Sequence, residues 1–157
     1  MFKQILVAVD NGQPAACAFD AAVELSMQLG AELTVLHVVD ITEAYVPQLG
    51  YADQDVVTKL YRDGEQLLGQ VFARLPSNLN PQRQLIEGEP VDVVLSVARD
   101  WPADLIVIGN DNRGRLSHFL LGSTADAIVR RASCPVVTVR ADARVVRDKA
   151  SQTVVEL

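Results

Sequence analysis

The sequence predicts a single α/β domain built on an open, doubly wound parallel sheet of five strands with helices on both faces. Five short runs rich in branched apolar residues alternate with four stretches of helical periodicity. Most of these runs are apolar at nearly every position, which is typical of strands buried on both faces of a parallel sheet. A length of 157 residues, with 49% hydrophobic and 22% charged residues, indicates one globular domain around one core.

The first part of the chain predicts a strand, a helix and a second parallel strand. The strand covers Ile5 to Val9 and stops at Asp10. Pro14 suits the first turn of the helix that follows, and Gly30 ends it. The second strand runs from Glu32 to Val39, and a right-handed crossover through the helix makes the two strands parallel.

The middle of the chain begins with a long connection from Asp40 to Ala52, and connections of this length often carry function. Apolar positions from Val57 to Leu75 predict a helix that Pro76 closes. A third, weaker strand is predicted at Gln84 to Glu87. The next helix starts with Pro90, because proline fits the first helical position.

The last part of the chain predicts a fourth strand at Leu105 to Ile108, ended by Gly109. A polar stretch then leads to a helix from Ser123 to Arg131, and a fifth strand follows at Val136 to Val139. The final segment, Ala141 to Leu157, shows no long periodic face and is predicted to be a tail or a short extra element.

Composition excludes several classes of protein. A formal net charge of −6 has the wrong sign for a broad nucleic-acid surface. No apolar run is long enough to span a membrane, and the first residues lack the pattern of a signal peptide, so we expect a cytoplasmic protein. Cys17 and Cys134 lie far apart without metal-ligand spacing, which indicates neither a disulfide framework nor a zinc site.

The carboxyl ends of parallel strands are where ligands bind in doubly wound sheets. There, Asp10 is either a site residue or a turn residue whose carboxylate caps the following backbone. The stretch Gly109 to Thr124 joins a strand to a helix, and the free N–H groups at that helix start attract phosphate. The alternative is an ordinary helix entry with Ser123 as N-cap. His37, inside the second strand, is interpreted as a packed or hydrogen-bonded histidine.

These features resemble the universal stress protein family. In that family a strand ending in Gly precedes a Gly-x2-Gly-x9-Gly-Ser/Thr nucleotide loop, a helix and a final strand of Cys-Pro-Val type. The corresponding residues of this chain are Gly109-x2-Asn112-x9-Gly122-Ser123, followed by Cys134-Pro135-Val136. The first two strands are also similar, so the resemblance covers about residues 2 to 140.

The resemblance implies a Rossmann-like fold with a sheet of order 3-2-1-4-5. It divides the chain into a universal stress protein domain, residues 1–140, and a C-terminal tail, residues 141–157. It also implies a homodimer, formed by antiparallel pairing of the last strands, here Val136 to Arg140. One branch of the family binds ATP, and the resemblance implies such a site at the ends of strands one and four.

On the adenosine side of that site, the resemblance implies Asp10 beside the adenosine and Val38 with its backbone at the adenine. Gly109 and Asn112 line the ribose and phosphate turn. Asn112 departs from the family pattern, which has glycine at this position. Asparagine is the least disruptive replacement where φ is positive, but its side chain adds bulk where ribose or phosphate approaches.

On the phosphate side, the resemblance implies that Gly122, Ser123 and Thr124 hold the phosphates. Arg113, just after Asn112, either adds charge-assisted contacts to phosphate or is a solvated surface arginine.

The sequence therefore predicts a stress-response regulator that binds ATP or another adenine nucleotide, with Mg²⁺ accompanying a triphosphate. The sequence motifs of P-loop hydrolases, dinucleotide enzymes and α/β-hydrolases do not occur, so we expect slow ATP hydrolysis or autophosphorylation at most and assign no catalytic residue. The alternative is a scaffold dimer that binds no nucleotide and acts through an unknown protein partner.

Overall fold

The computed structural model describes residues 1–110 and 123–141, apart from the side chain of Glu43. Strands and helices alternate along the chain. Their bounds are β1 Gln4–Ala8, α1 Gln13–Leu29, β2 Glu32–Val39, α2 Gln54–Ala73, β3 Gln82–Glu87, α3 Pro90–Asp100, β4 Leu105–Asn110, α4 Ser123–Arg131 and β5 Val136–Arg140.

The five strands form one parallel sheet in the order β3-β2-β1-β4-β5, which confirms the predicted fold class and strand order. Strand β1 lies at the centre, where Ile5 pairs with Leu33 of β2 on one side and Leu105 of β4 on the other. The order reverses between β1 and β4. The crossovers that leave these two strands therefore lie on opposite faces of the sheet.

Each face of the sheet carries its own apolar core. The alternation of β1 directs Ile5 and Val7 toward a cluster that contains Phe19 of α1 and Leu68 of α2. On the other face, Leu6 belongs to a second cluster, built with residues of α3 and α4. Helices therefore cover both faces, as predicted from strands that are apolar at nearly every position.

The ends of α1 follow the predicted signals. Pro14 lies in its first turn, and Gly30 adopts a left-handed conformation with φ of 62° just after its last residue. The Gly30 N–H donates to the Ser26 carbonyl oxygen, and the Ser26 hydroxyl donates to the Ala31 carbonyl oxygen at 2.6 Å. Glycine is required here because a side chain strains this conformation.

The long connection after β2 has structure of its own. A 3₁₀ turn at Ile41–Ala44 leads into a two-stranded antiparallel hairpin that pairs Tyr45–Val46 with Tyr51–Ala52. Asp53 then caps α2 by accepting hydrogen bonds from the backbone N–H groups of the second and third residues that follow it. The helix accordingly starts at Gln54, before the first periodic apolar position.

Strand β4 is longer than predicted. The prediction that Gly109 ends the strand is wrong, because β4 continues to Asn110. Gly109 pairs with Val139 and Asn110 pairs with Arg140, so the neighbouring strand β5 supplies hydrogen bonds beyond the last branched residue. No helix within residues 1–110 and 123–141 is both long enough and apolar enough to cross a membrane.

Candidate functional site

A cavity of about 420 Å³ opens at the carboxyl edge of the sheet, between β1 and β4. Its volume lies within the range of small-molecule sites. It forms where the strand order reverses, because helices on opposite faces leave the sheet edge uncovered there. Its lining residues are Ala8, Val9, Asp10, Gly12, Pro14, Ala15, His37, Val38, Pro90, Val94, Ile108, Gly109, Ser123, Thr124, Ala125 and Ile128.

Asp10 follows β1 and lies in the wall of this cavity, exposed to solvent. One of its carboxylate oxygens, Oδ1, accepts a hydrogen bond from the Gly12 backbone N–H at 2.7 Å. The carboxylate thus caps the turn into α1 and borders the cavity at the same time. The hydrogen bond agrees with the interpretation of Asp10 as a turn residue, and its role as a site residue stays a prediction.

Gly109 also lines the cavity, and the reason for glycine is the packing of α1. A Cβ atom there would stand 2.5 Å from the Pro14 carbonyl carbon and 2.6 Å from the Ala15 nitrogen. Gly109 does not belong to the described glycines that have a positive φ. Close approach of the α1 backbone therefore explains why glycine stands at this position.

Ser123 and Thr124 form the start of α4, and both border the cavity. The N–H groups of a first helical turn have no partner within the helix, and the helix dipole places partial positive charge there. Among the described lining residues, Asp10 carries the only carboxylate and no Lys or Arg is present. The first turn of α4 is therefore one part of the described wall that attracts anions.

Val38 lies half-buried in the cavity wall near the end of β2. The structure thus brings together five predicted site residues, namely Asp10, Val38, Gly109, Ser123 and Thr124. The remaining three, Asn112, Arg113 and Gly122, lie outside the described residues, and their roles stay predictions.

Sequence reasoning missed much of the apolar wall. Pro90 and Val94 of α3 line the cavity, although in the sequence they indicate only a helix start and a buried helix face. His37 is hydrogen-bonded, as interpreted from the sequence, through Nδ1 to the Val9 carbonyl oxygen at 2.7 Å. It also borders the cavity, and no feature of its sequence neighbourhood distinguishes this position from an ordinary strand residue.

Two groups with shifted pKa values, the Cys134 thiol and the Tyr61 hydroxyl, lie outside the cavity lining. Burial is the main cause that raises the pKa of the Cys134 thiol, and the nearby negative charge of Asp104 raises it further. The higher pKa disfavours the reactive thiolate form. The hydrogen bond to Glu87 raises the pKa of the Tyr61 hydroxyl. The described residues contain no group of three or more His, Cys, Asp or Glu arranged to hold a metal ion.

A parallel sheet of this order, with a cavity at the point of reversal, is typical of the class of α/β proteins in which ligands bind outside the carboxyl ends of the strands. The family model of the universal stress proteins matches residues 1–140. The chain belongs to the universal stress protein family.

Individual relatives agree with this assignment. A universal stress protein of Staphylococcus epidermidis is 33% identical over 145 residues, which are 90% of this chain and 86% of that protein. A solved structure from the same family, from Burkholderia pseudomallei, is 30% identical with a TM-score of 0.70, covering 88% of this chain and 96% of that one. A universal stress protein solved in complex with cAMP shares the fold at 22% identity and a TM-score of 0.67, covering 88% and 97%.

Proposed function

We propose that this protein is a cytoplasmic stress-response regulator that binds ATP, or another adenine nucleotide, at the carboxyl ends of β1 and β4. The observation that carries the proposal is the cavity itself. It gathers Asp10, Val38, Gly109, Ser123 and Thr124 from four separate elements and loops of the chain. A universal stress protein of the same fold was solved with cAMP, which is also an adenine nucleotide.

The chemistry of the wall suits such a ligand. Val38, Val94 and Ile128 offer apolar surface to an adenine ring, whereas the Asp10 carboxylate accepts hydrogen bonds from sugar hydroxyls. The first turn of α4 attracts the phosphates through its N–H groups and dipole. Mg²⁺ would arrive with a triphosphate, since this ion keeps several waters and is commonly held by one or two carboxylates together with substrate phosphates.

Calorimetric titration of the purified protein with Mg-ATP, AMP and cAMP tests the proposal. Ser123→Glu places a carboxylate where the phosphates would lie, so it is expected to abolish binding. Ser77→Glu is the matched control, because Ser77 is exposed between α2 and β3, at the opposite edge of the sheet. Absence of binding by the unmodified protein to all three nucleotides would contradict the proposal.

The same proposal includes a homodimer formed through β5, the last strand of the sheet. In the described sheet β5 pairs with β4 alone, and Val137 is 38% exposed. Successive residues of a strand direct their backbone hydrogen-bonding groups to opposite sides. The Pro135 carbonyl faces β4, where it accepts from the Ile106 N–H. Thr138, three residues later, therefore directs its N–H toward the open edge of the sheet.

Thr138→Pro is therefore expected to convert a dimer to a monomer while leaving the β4 pairing intact. Light scattering after size exclusion measures the mass, and circular dichroism checks the fold. A monomeric unmodified protein, or a dimer that survives Thr138→Pro, would contradict pairing through this edge.

A scaffold that acts through protein partners is the second candidate, and the hairpin after β2 favours it. Tyr45, Leu49 and Tyr51 are 52%, 55% and 57% exposed. Tyr45 and Tyr51 lie on opposite faces of the hairpin, because Tyr51 pairs with Val46 rather than with Tyr45. Exposed aromatic side chains are frequent anchors of protein interfaces.

A thermal-shift titration separates the two candidates. A melting temperature that rises with ATP concentration supports the nucleotide-binding regulator. An unchanged melting temperature would support the scaffold if a second result accompanies it. That result is a protein partner that cross-links to the unmodified protein in cells but not to the double variant Tyr45→Ser, Tyr51→Ser.

A further inference from the structure

The ring of His37, which lines the cavity, connects β2 to the residue that follows β1. His37 lies near the end of β2, and its Nδ1 is 2.7 Å from the carbonyl oxygen of Val9, the residue that follows β1. A carbonyl oxygen only accepts hydrogen bonds, so Nδ1 carries the proton and donates. In the neutral ring, Nε2 is then the unprotonated nitrogen.

Helix α2 packs against the same imidazole ring through Gly64. Gly64 of α2 is buried, and a Cβ atom on it would stand 2.8 Å from His37 Cδ2 and 3.3 Å from His37 Nε2. The same Cβ would stand 2.9 Å from Leu85, which pairs with His37 across β2 and β3. The glycine therefore leaves the space that the imidazole occupies, and little room remains for the ring to move.

The Val9 peptide is the last part of the chain that the sheet holds before Asp10. The Val9 N–H donates to the Leu36 carbonyl oxygen at 2.8 Å, and the Val9 carbonyl accepts from His37. Both hydrogen-bonding groups of Val9 are thus held by β2. The next residue is Asp10, whose carboxylate caps Gly12 at the cavity wall.

We propose that His37 is a positioning residue: its Nδ1–H group fixes the Val9 carbonyl and thereby holds the Asp10 carboxylate in the orientation that receives the sugar of a nucleotide. This inference rests on the proposed nucleotide-binding function. A histidine that only fills space between β2 and α2 would leave the Val9 carbonyl without this hydrogen bond.

Two matched substitutions separate the hydrogen bond from the packing. His37→Asn keeps an amide N–H near the position of Nδ1, whereas His37→Gln moves its amide toward the position of Nε2. Both remove the ring and lose similar packing. We expect His37→Asn to bind Mg-ATP within about threefold of the unmodified protein, and His37→Gln to bind roughly tenfold more weakly, since one hydrogen bond contributes on this scale.

Gly64→Ala provides an independent variant, because Gly64 does not line the cavity. The added methyl group pushes the imidazole, so we expect weaker binding of Mg-ATP although the helix itself gains propensity from alanine. Calorimetry gives the dissociation constants, and thermal unfolding shows whether each variant is folded at the temperature of the titration.

The protonation of the ring is measured without any nucleotide, by ¹⁵N nuclear magnetic resonance of His37. A neutral ring protonated on Nδ1 supports the inference, and one protonated on Nε2 would overturn it. Equal affinities of His37→Asn and His37→Gln would also overturn it, whether both match the unmodified protein or both fall. Failure of the unmodified protein to bind nucleotide would instead contradict the proposed function, whereas the resonance experiment still reports on the contact.

Discussion

The backbone of Pro14 lies so close to Gly109 that a Cβ atom on the glycine would stand 2.5 Å from the Pro14 carbonyl carbon. This contact brings the start of α1 directly onto β4. It sets one wall of the cavity, since Pro14, Ala15 and Gly109 all line it. The glycine therefore matters for stability as well as for the site.

Gly109→Ala is expected to lower the free energy of unfolding by about 1–3 kcal/mol, because the methyl group overlaps backbone that cannot swing aside. Urea denaturation measures the change. Gly69→Ala is the control, since Gly69 lies in α2 and, among the described residues, no atom outside its chain neighbours and its own helix backbone lies within 4 Å of its Cβ position. That control should gain about 0.5–1 kcal/mol from helix propensity. Equal stabilities of Gly109→Ala and the unmodified protein would contradict the close contact.

Thr34→Val is expected to raise the free energy of unfolding by about 1 kcal/mol. Thr34 in β2 is fully buried, and within the described part of the chain its hydroxyl oxygen has no hydrogen-bond partner. Valine keeps the branched shape and removes the unsatisfied polar group. Thermal and urea unfolding report the difference.

Thr58→Val serves as the comparison for Thr34→Val, because the Thr58 hydroxyl donates to the Gln54 carbonyl oxygen on the exposed surface of α2. It should bring no gain in stability. A loss of stability in Thr34→Val would show that the buried hydroxyl has a partner after all.

Ser26→Ala is expected to reduce the free energy of unfolding by about 1 kcal/mol. The buried Ser26 hydroxyl donates to the Ala31 carbonyl oxygen at 2.6 Å, which ties the end of α1 to the start of β2. Alanine leaves that carbonyl without this donor. Ser96→Ala in α3 removes two long surface contacts, to Asp100 at 3.4 Å and from the Arg99 guanidinium at 3.3 Å, so its stability should stay within about 0.5 kcal/mol of the unmodified protein. The prediction fails if both variants unfold at the same denaturant concentration.

Tyr61 should titrate above its ordinary pKa of 10.0, chiefly because its hydroxyl donates to Glu87 at 2.6 Å and must stay protonated to do so. A folded-state pKa above the unfolded value means that the contribution to stability is complete below pH about 10. It is lost as the pH rises through the folded-state pKa.

The difference in ultraviolet absorbance between the unmodified protein and Tyr61→Phe follows the Tyr61 phenolate alone. Glu87→Gln removes the charged acceptor and should lower the pKa of Tyr61. A pKa of Tyr61 that Glu87→Gln leaves unchanged would show that the hydrogen bond is not its cause.

Local signals in the sequence determined the order and type of the main elements. Apolar runs predict each strand of the sheet, and Gly30 marks the end of α1 at the residue that adopts positive φ. These signals act within a few residues, so periodicity and backbone preference suffice to read them. Candidate site residues such as Asp10 and Ser123 follow from the rule that ligands bind at strand ends.

Only the tertiary structure decided how far β4 extends, because its last residues depend on pairing with β5 rather than on their own preference. It also brought Pro90 and Val94 to the cavity, and it placed the His37 ring between the Val9 carbonyl and Gly64. Each of these contacts joins residues far apart in the chain. No local pattern encodes such a contact, since it arises only when the crossovers fold onto opposite faces of one sheet.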